Sequence, residues 1–106
     1  VGLNPAYTER EVCHLAADAG LTVLVTLDAL APLVAAVRRQ TAIAHVIVTS
    51  ITEYAAGGAP PDAVDDTVPF ASLASGNGRP PVVREEVSPD DVAVLQYTGG
   101  TTGSPK

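Results

Sequence analysis

Two runs of the chain, residues 21–27 (LTVLVTL) and 45–50 (HVIVTS), are almost continuously apolar and β-branched, and they constrain the fold more than any other feature. A strand with one wet face alternates polar and apolar side chains, whereas a run without alternation suits a strand covered on both faces, the habit of parallel sheets. Each run is preceded by a segment with helical spacing. Before the first, Thr8 and Glu11 make a T-x-x-E capping box, and Val12, Leu15, Ala16 and Ala19 recur at i, i+3, i+4 and i+7 up to Gly20, a residue suited to the position after a helix. A helix over residues 9–19 is predicted. Before the second run, Asp28 stands as an N-cap, and residues 29–39 align Leu30, Leu33, Val34 and Val37 on one face with Arg38 and Arg39 in the last turn. Helix, strand, helix, strand is the order of an α/β domain, so a partial parallel-type sheet with flanking helices is expected.

The second half changes texture. Residues 53–88 hold Gly57-Gly58, Pro60-Pro61, Asp65-Asp66, Gly76-Asn77-Gly78 and Pro80-Pro81, which reads as a long loop interrupted by a short element over residues 68–73. After the turn Ser88-Pro89-Asp90-Asp91, residues 92–97 (VAVLQY) are expected to form a third strand. The length of 106 residues allows one small domain at most, and 46% hydrophobic against 17% charged residues is a packed rather than a disordered composition. The chain opens on Val1 and stops at Lys106 directly after a Gly-rich run, which reads as an excerpt of a longer protein, incomplete at both ends. No internal repeat is present.

Charge and cysteine usage exclude several classes. A net charge of -6 with a single Lys offers no basic stripe for a phosphodiester backbone, so nucleic acid is not an expected partner. The most apolar stretch, residues 21–37, is broken by Asp28 and Pro32 and falls short of a membrane span. The lone Cys13 has no partner for an internal disulfide, and no signal or lipidation motif stands out, so the expected setting is cytoplasmic, either free or peripheral to a membrane. His14 and His45 lack metal-site spacing and are read as ordinary histidines; Cys13 is read as a small packed residue. The pairs Asp65-Asp66, Glu85-Glu86 and Asp90-Asp91 are read as solvated surface rather than as catalytic carboxylates.

The chemistry-bearing feature is the end of the chain. Tyr97, Thr98, Gly99, Gly100, Thr101, Thr102, Gly103, Ser104, Pro105 and Lys106 combine Gly, hydroxyl and one cation directly after a strand-like run. Glycines let successive backbone N–H groups turn toward an anion with no Cβ in the way, hydroxyls add donors, and Lys adds charge; together they suit a polyphosphate. The segment is neither G-x-x-x-x-G-K-[ST], because Ser104 and Pro105 separate Gly103 from Lys106, nor G-x-G-x-x-G, because Gly99 and Gly100 are adjacent.

It does resemble the phosphate-binding signature of the adenylate-forming, AMP-binding superfamily, [YF]-T-[SG]-G-T-T-G-x-P-K, at every position. The variant Leu95-Gln96-Tyr97-Thr98-Gly99-Gly100, with Gly99 where many members carry Ser, is most similar to long-chain fatty acyl-CoA synthetases. Asn4-Pro5-Ala6-Tyr7-Thr8-Glu9-Arg10-Glu11 is similar to the N-P-x-Y-T-x-x-E segment of the same enzymes, so the whole chain aligns as one stretch of their large N-terminal domain. The resemblance implies a parent that joins a carboxylate to ATP, giving acyl-AMP and pyrophosphate, and then forms a thioester with coenzyme A. Residues 97–106 would hold the ATP phosphates, with Mg2+ bound by residues outside this chain and no catalytic residue inside it. The chain alone is therefore expected to be inactive. Two alternatives stay open: a ligase for another carboxylic acid or for carrier-protein loading, and an inactive truncated remnant.

Overall fold

The structure is a computed structural model, and it describes residues 1–76 and 86–98. The first helix, α1, spans Glu9–Asp18 and begins where the capping box places it. Glu11 N–H donates to Thr8 Oγ1 at 3.4 Å while Thr8 N–H donates to Glu11 Oε2 at 2.7 Å, so two orphan donors of the first turn are satisfied reciprocally. The helix ends in a Schellman motif: Leu21 N–H reaches Ala16 O at 2.9 Å and Gly20 N–H reaches Ala17 O at 3.4 Å. That closure needs Gly20 at φ 63, left-handed backbone that a Cβ would disfavour.

Strand β1 follows at Val23–Leu27. The expected helix over residues 29–39 divides into a 3-10 turn, Asp28–Leu30, and helix α2, Ala31–Arg38. Pro32 explains the division, because it has no N–H to give to the Asp28 carbonyl; Ala31 N–H bonds there instead, three residues on, which is the 3-10 pattern. Asp28 is correspondingly not the cap of α2. Its carboxylate accepts from Ala29 N–H at 2.8 Å and from Asp62 N–H at 3.1 Å, tying the following loop to the end of β1. Strand β2, His45–Thr49, then pairs with β1 in parallel, Leu24 opposite Val46 and Thr26 opposite Val48. A short third strand, β3 at Val68–Pro69, pairs in parallel on the far side of β2 and leads into helix α3, Phe70–Ala74, giving the order β1-β2-β3.

The core lies between one face of this sheet and the two longer helices. Val12 and Ala16 of α1, Val34 and Val37 of α2, and Val46 and Val48 of β2 form one buried cluster with Ile43, and Leu24 packs against it. The other face of β1 is open, with Val23 and Val25 at 48% and 56% exposure against 1% and 3% for Val46 and Val48. The reading of residues 21–27 as a strand covered on both faces is thus corrected: α1 and α2 cover one face, and no described residue covers Val23 and Val25. The third strand is corrected too. Residues 92–97 make a single parallel bridge, Gly2 to Gln96, and the sheet takes Val68–Pro69 as its third strand instead. With only Gly2 alongside among the described residues, the segment lacks the neighbour that a ladder requires.

The long loop is fastened at defined points. Arg38 extends from the end of α2 to Asp66, meeting its carboxylate at 2.9 Å and its carbonyl at 3.0 Å, and so holds in place a non-glycine residue at φ 60 just before β3. Gly58 sits where an added Cβ would fall 1.6 Å from the Thr52 carbonyl oxygen, so the turn over residues 52–58 admits only glycine there. Tyr54 meets Phe70 edge to face, with ring centroids 6.2 Å apart.

Candidate functional site

Of the ten signature residues, Tyr97 and Thr98 are described; Gly99, Gly100, Thr101, Thr102, Gly103, Ser104, Pro105 and Lys106 lie outside the described residues. The segment leading to them is built in three steps. The turn at Ser88-Pro89-Asp90-Asp91 closes through the Asp91 carboxylate, which accepts from Ser88 N–H at 2.7 Å, and through Asp91 N–H to Ser88 O at 3.1 Å. Asp91 therefore shapes the backbone while it and Asp90 stay exposed, as the reading of solvated surface expects. Next comes an extended stretch with Val92 and Val94 exposed at 76% and 69%. Finally Gln96 bridges to Gly2, and its side-chain amide donates to the Tyr97 carbonyl at 3.3 Å.

Tyr97 is half-buried, and its hydroxyl donates to Asp18 Oδ2, at the last residue of α1. That hydrogen bond, with burial and the carboxylate's charge behind it, pushes the phenol above its ordinary pKa. Thr98 is exposed and faces solvent at the point where the glycines begin. Sequence reasoning missed Asp18. The signal available was its position, an acid in the last turn of a helix where the macrodipole favours a cation.

The other titratable candidates stay apart from this place. His14 and His45 are exposed. Cys13 is half-buried, and burial, followed by the Glu9 charge, raises its thiol pKa, the opposite of what a nucleophilic thiolate needs. Among the described residues no three His, Cys, Asp or Glu side chains come together in a group able to hold a metal ion. A mainly apolar cavity of about 250 Å³ opens between the N-terminal segment, β1 and α2, lined by Leu3, Leu24, Leu27, Leu30 and Leu33 among others. Tyr97 and Thr98 do not line it, so it is separate from the start of the signature.

Comparison with known proteins agrees with the residues. The family model described as AMP-binding enzyme matches residues 1–106. The long-chain-fatty-acid–CoA ligase of Escherichia coli O6:H1 is 33% identical over 121 residues, covering 100% of this chain and 22% of that protein. The protein of the same name from Bacillus subtilis strain 168 is 32% identical over 126 residues, again with 100% and 22% covered. The medium-chain acyl-CoA ligase Mig of Mycobacterium avium is 37% identical over 105 residues, covering 98% of this chain and 18% of Mig. The chain thus spans about a fifth of the length of the curated relatives it matches. No solved structure gives a significant match. With a family model matched from the first residue to the last, and relatives above 30% identity over the whole chain, this chain belongs to the AMP-binding enzyme family.

Proposed function

We propose that the polypeptide carrying this chain is an ATP-dependent long-chain fatty acid–CoA ligase and that residues 1–106 are one stretch of its N-terminal, AMP-binding domain. The observation that carries the reading is the uninterrupted signature Tyr97–Lys106 at the end of a chain whose matched relatives include long-chain-fatty-acid–CoA ligases. In the first step a carboxylate oxygen attacks the α-phosphorus of ATP, the bond to the β-phosphate oxygen breaks, and pyrophosphate leaves with the electron pair. In the second, the coenzyme A sulfur attacks the acyl carbon, AMP leaves, and the thiol proton is released.

The part of this chain is electrostatic. The hydroxyls of Thr98, Thr101, Thr102 and Ser104, the backbone N–H groups of Gly99, Gly100 and Gly103, and the Lys106 ammonium hold the β- and γ-phosphates and offset the charge of the departing pyrophosphate. Pro105 stiffens the exit of the segment. Proton transfer is not asked of it. Mg2+ arrives with ATP; the described residues provide no cluster of ligands for it, and no step through it is assigned to them. Among the described residues no helix is long and apolar enough to cross a membrane.

The test is ATP–pyrophosphate exchange by the full-length polypeptide with acids of graded chain length, followed by thioester assay with coenzyme A. Exchange dependent on long-chain acids, with acyl-CoA as product, is expected. Exchange without transfer to coenzyme A would point to carrier-protein loading. No exchange with any acid would leave the truncated-remnant reading. The similarity to Mig favours one second reading, a medium-chain acid, which the same panel resolves.

A further inference from the structure

The signature's first residue is fastened to a remote part of the fold. Tyr97 Oη donates to Asp18 Oδ2, bringing together residues 79 positions apart, and one residue earlier Gln96 is bridged to Gly2. The segment thus enters its Gly-rich part from two adjacent fixed points. Asp18 is poorly placed for the helix that carries it, because the last turn of α1 is the negative end of the helix dipole and no basic residue in that turn compensates. An acid that works against its own helix and donates nothing to the core is the kind of local inconsistency that functional positions show. Among the described residues its hydrogen-bond partner is Tyr97.

We propose that Asp18 is a positioning residue for ATP: by holding the Tyr97 hydroxyl it fixes the place at which the phosphate-binding segment begins. Thr98, next in the chain, then meets the nucleotide from a constant origin, and less of the binding free energy goes into positioning it. Asp18 does not touch the nucleotide. Tyr97 contributes to phosphate binding through this anchor, since its donor proton is committed to the carboxylate.

The proposal rests on the reading of residues 97–106 as a phosphate-binding segment, and the experiment separates the two. ATP–pyrophosphate exchange is measured on the full-length polypeptide and on its Asp18→Ala, Asp18→Asn, Tyr97→Phe and Asp18→Ala/Tyr97→Phe variants, with thermal melting as a check on folding. Losing a hydrogen bond of this kind predicts a rise in KM for ATP of about three- to tenfold in Asp18→Ala and Tyr97→Phe. The double variant is expected to be no worse than either single one, since both remove the same contact. KM for the fatty acid is expected to change by less than about twofold, as for a surface change remote from that substrate. Asp18→Asn, whose amide oxygen still accepts, should restore most of the ATP affinity. An unchanged KM for ATP in both single variants, effects that multiply in the double variant, or an equal rise in the fatty-acid KM would each overturn the role of Asp18. Absence of exchange in the unmutated polypeptide would instead overturn the reading of the segment itself, and the anchor's role with it.

Discussion

Valines in two regions of this molecule meet opposite fates. In the β1–α2–β2 unit, Val37, Val46 and Val48 are almost fully enclosed; in the stretch leading to the signature, Val92 and Val94 stand at 76% and 69% exposure. Both regions are rich in β-branched side chains, and both contain runs that read as strands. The difference is in the neighbours each finds within the described chain. The first region has two helices from nearby sequence: α1, capped by Thr8 and closed by Gly20, brings Val12 and Ala16 to the core, and α2 brings Val34 and Val37. The second finds one bridge to Gly2 and one hydrogen bond from Tyr97 to Asp18. A hydrophobic run therefore specifies a strand only where a neighbour supplies hydrogen-bond partners and a face to cover.

The contrast breaks most readily at Leu15, which is fully buried. Leu15→Ala in the 106-residue chain should cost about 2–5 kcal/mol in urea unfolding followed by far-UV circular dichroism, the cost of lost burial plus a cavity. Val92→Ala should stay within about 0.5 kcal/mol, as exposed substitutions do. Equal losses would erase the distinction between the regions. Repeating Val92→Ala in the full-length polypeptide sharpens it, because a cost there well above that of an exposed site would mean that another segment covers Val92.

A smaller effect is expected at the closure of α1. An added Cβ at Gly20 meets no atom within 4 Å, so Gly20→Ala tests backbone conformation without a clash. The left-handed φ of 63 should cost about 1–2 kcal/mol for alanine, read as a lower midpoint in the same unfolding experiment. An unchanged midpoint would mean that the Schellman closure does not hold α1 against the sheet.

The α/β order, the capping box and the close of α1 could be read from residues 1–50, because each depends on residues within one helical turn or on period, and the parallel pairing follows from a helix lying between two strands. Four features could not. The division of the second helix turned on one missing N–H at Pro32, which spacing of apolar residues does not register. The open face of β1 and the absence of a strand at residues 92–97 depend on what lies alongside, and a continuous apolar run looks the same whether its cover is present or not. The pairing of Tyr97 with Asp18 joins two segments that no local pattern connects. For the candidate site, the signature was readable as a string of residues, whereas its attachment to α1 emerged only from the fold.

The smallest effect concerns the start of the same helix and depends on pH. Hydrogen bonds from Thr8, first from its backbone N–H and then from its hydroxyl, hold the Glu11 carboxyl below its ordinary value of 4.5. A carboxylate with a depressed pKa in the folded chain contributes stability that is fully present above its unfolded pKa and is lost as pH falls through the folded one. The capping box should therefore weaken as pH drops below about 4.5 and remain constant above it. Glu11→Gln can still accept from Thr8 N–H but does not titrate, so it should flatten this part of the pH dependence while α1 keeps its start. Amide hydrogen exchange of residues 9–12 between pH 3 and pH 6, corrected for intrinsic rates, measures it directly. A pH dependence that survives Glu11→Gln unaltered would show that another carboxylate governs the acid response, and the local, self-capped character of the N-terminal unit would lose its simplest electrostatic mark.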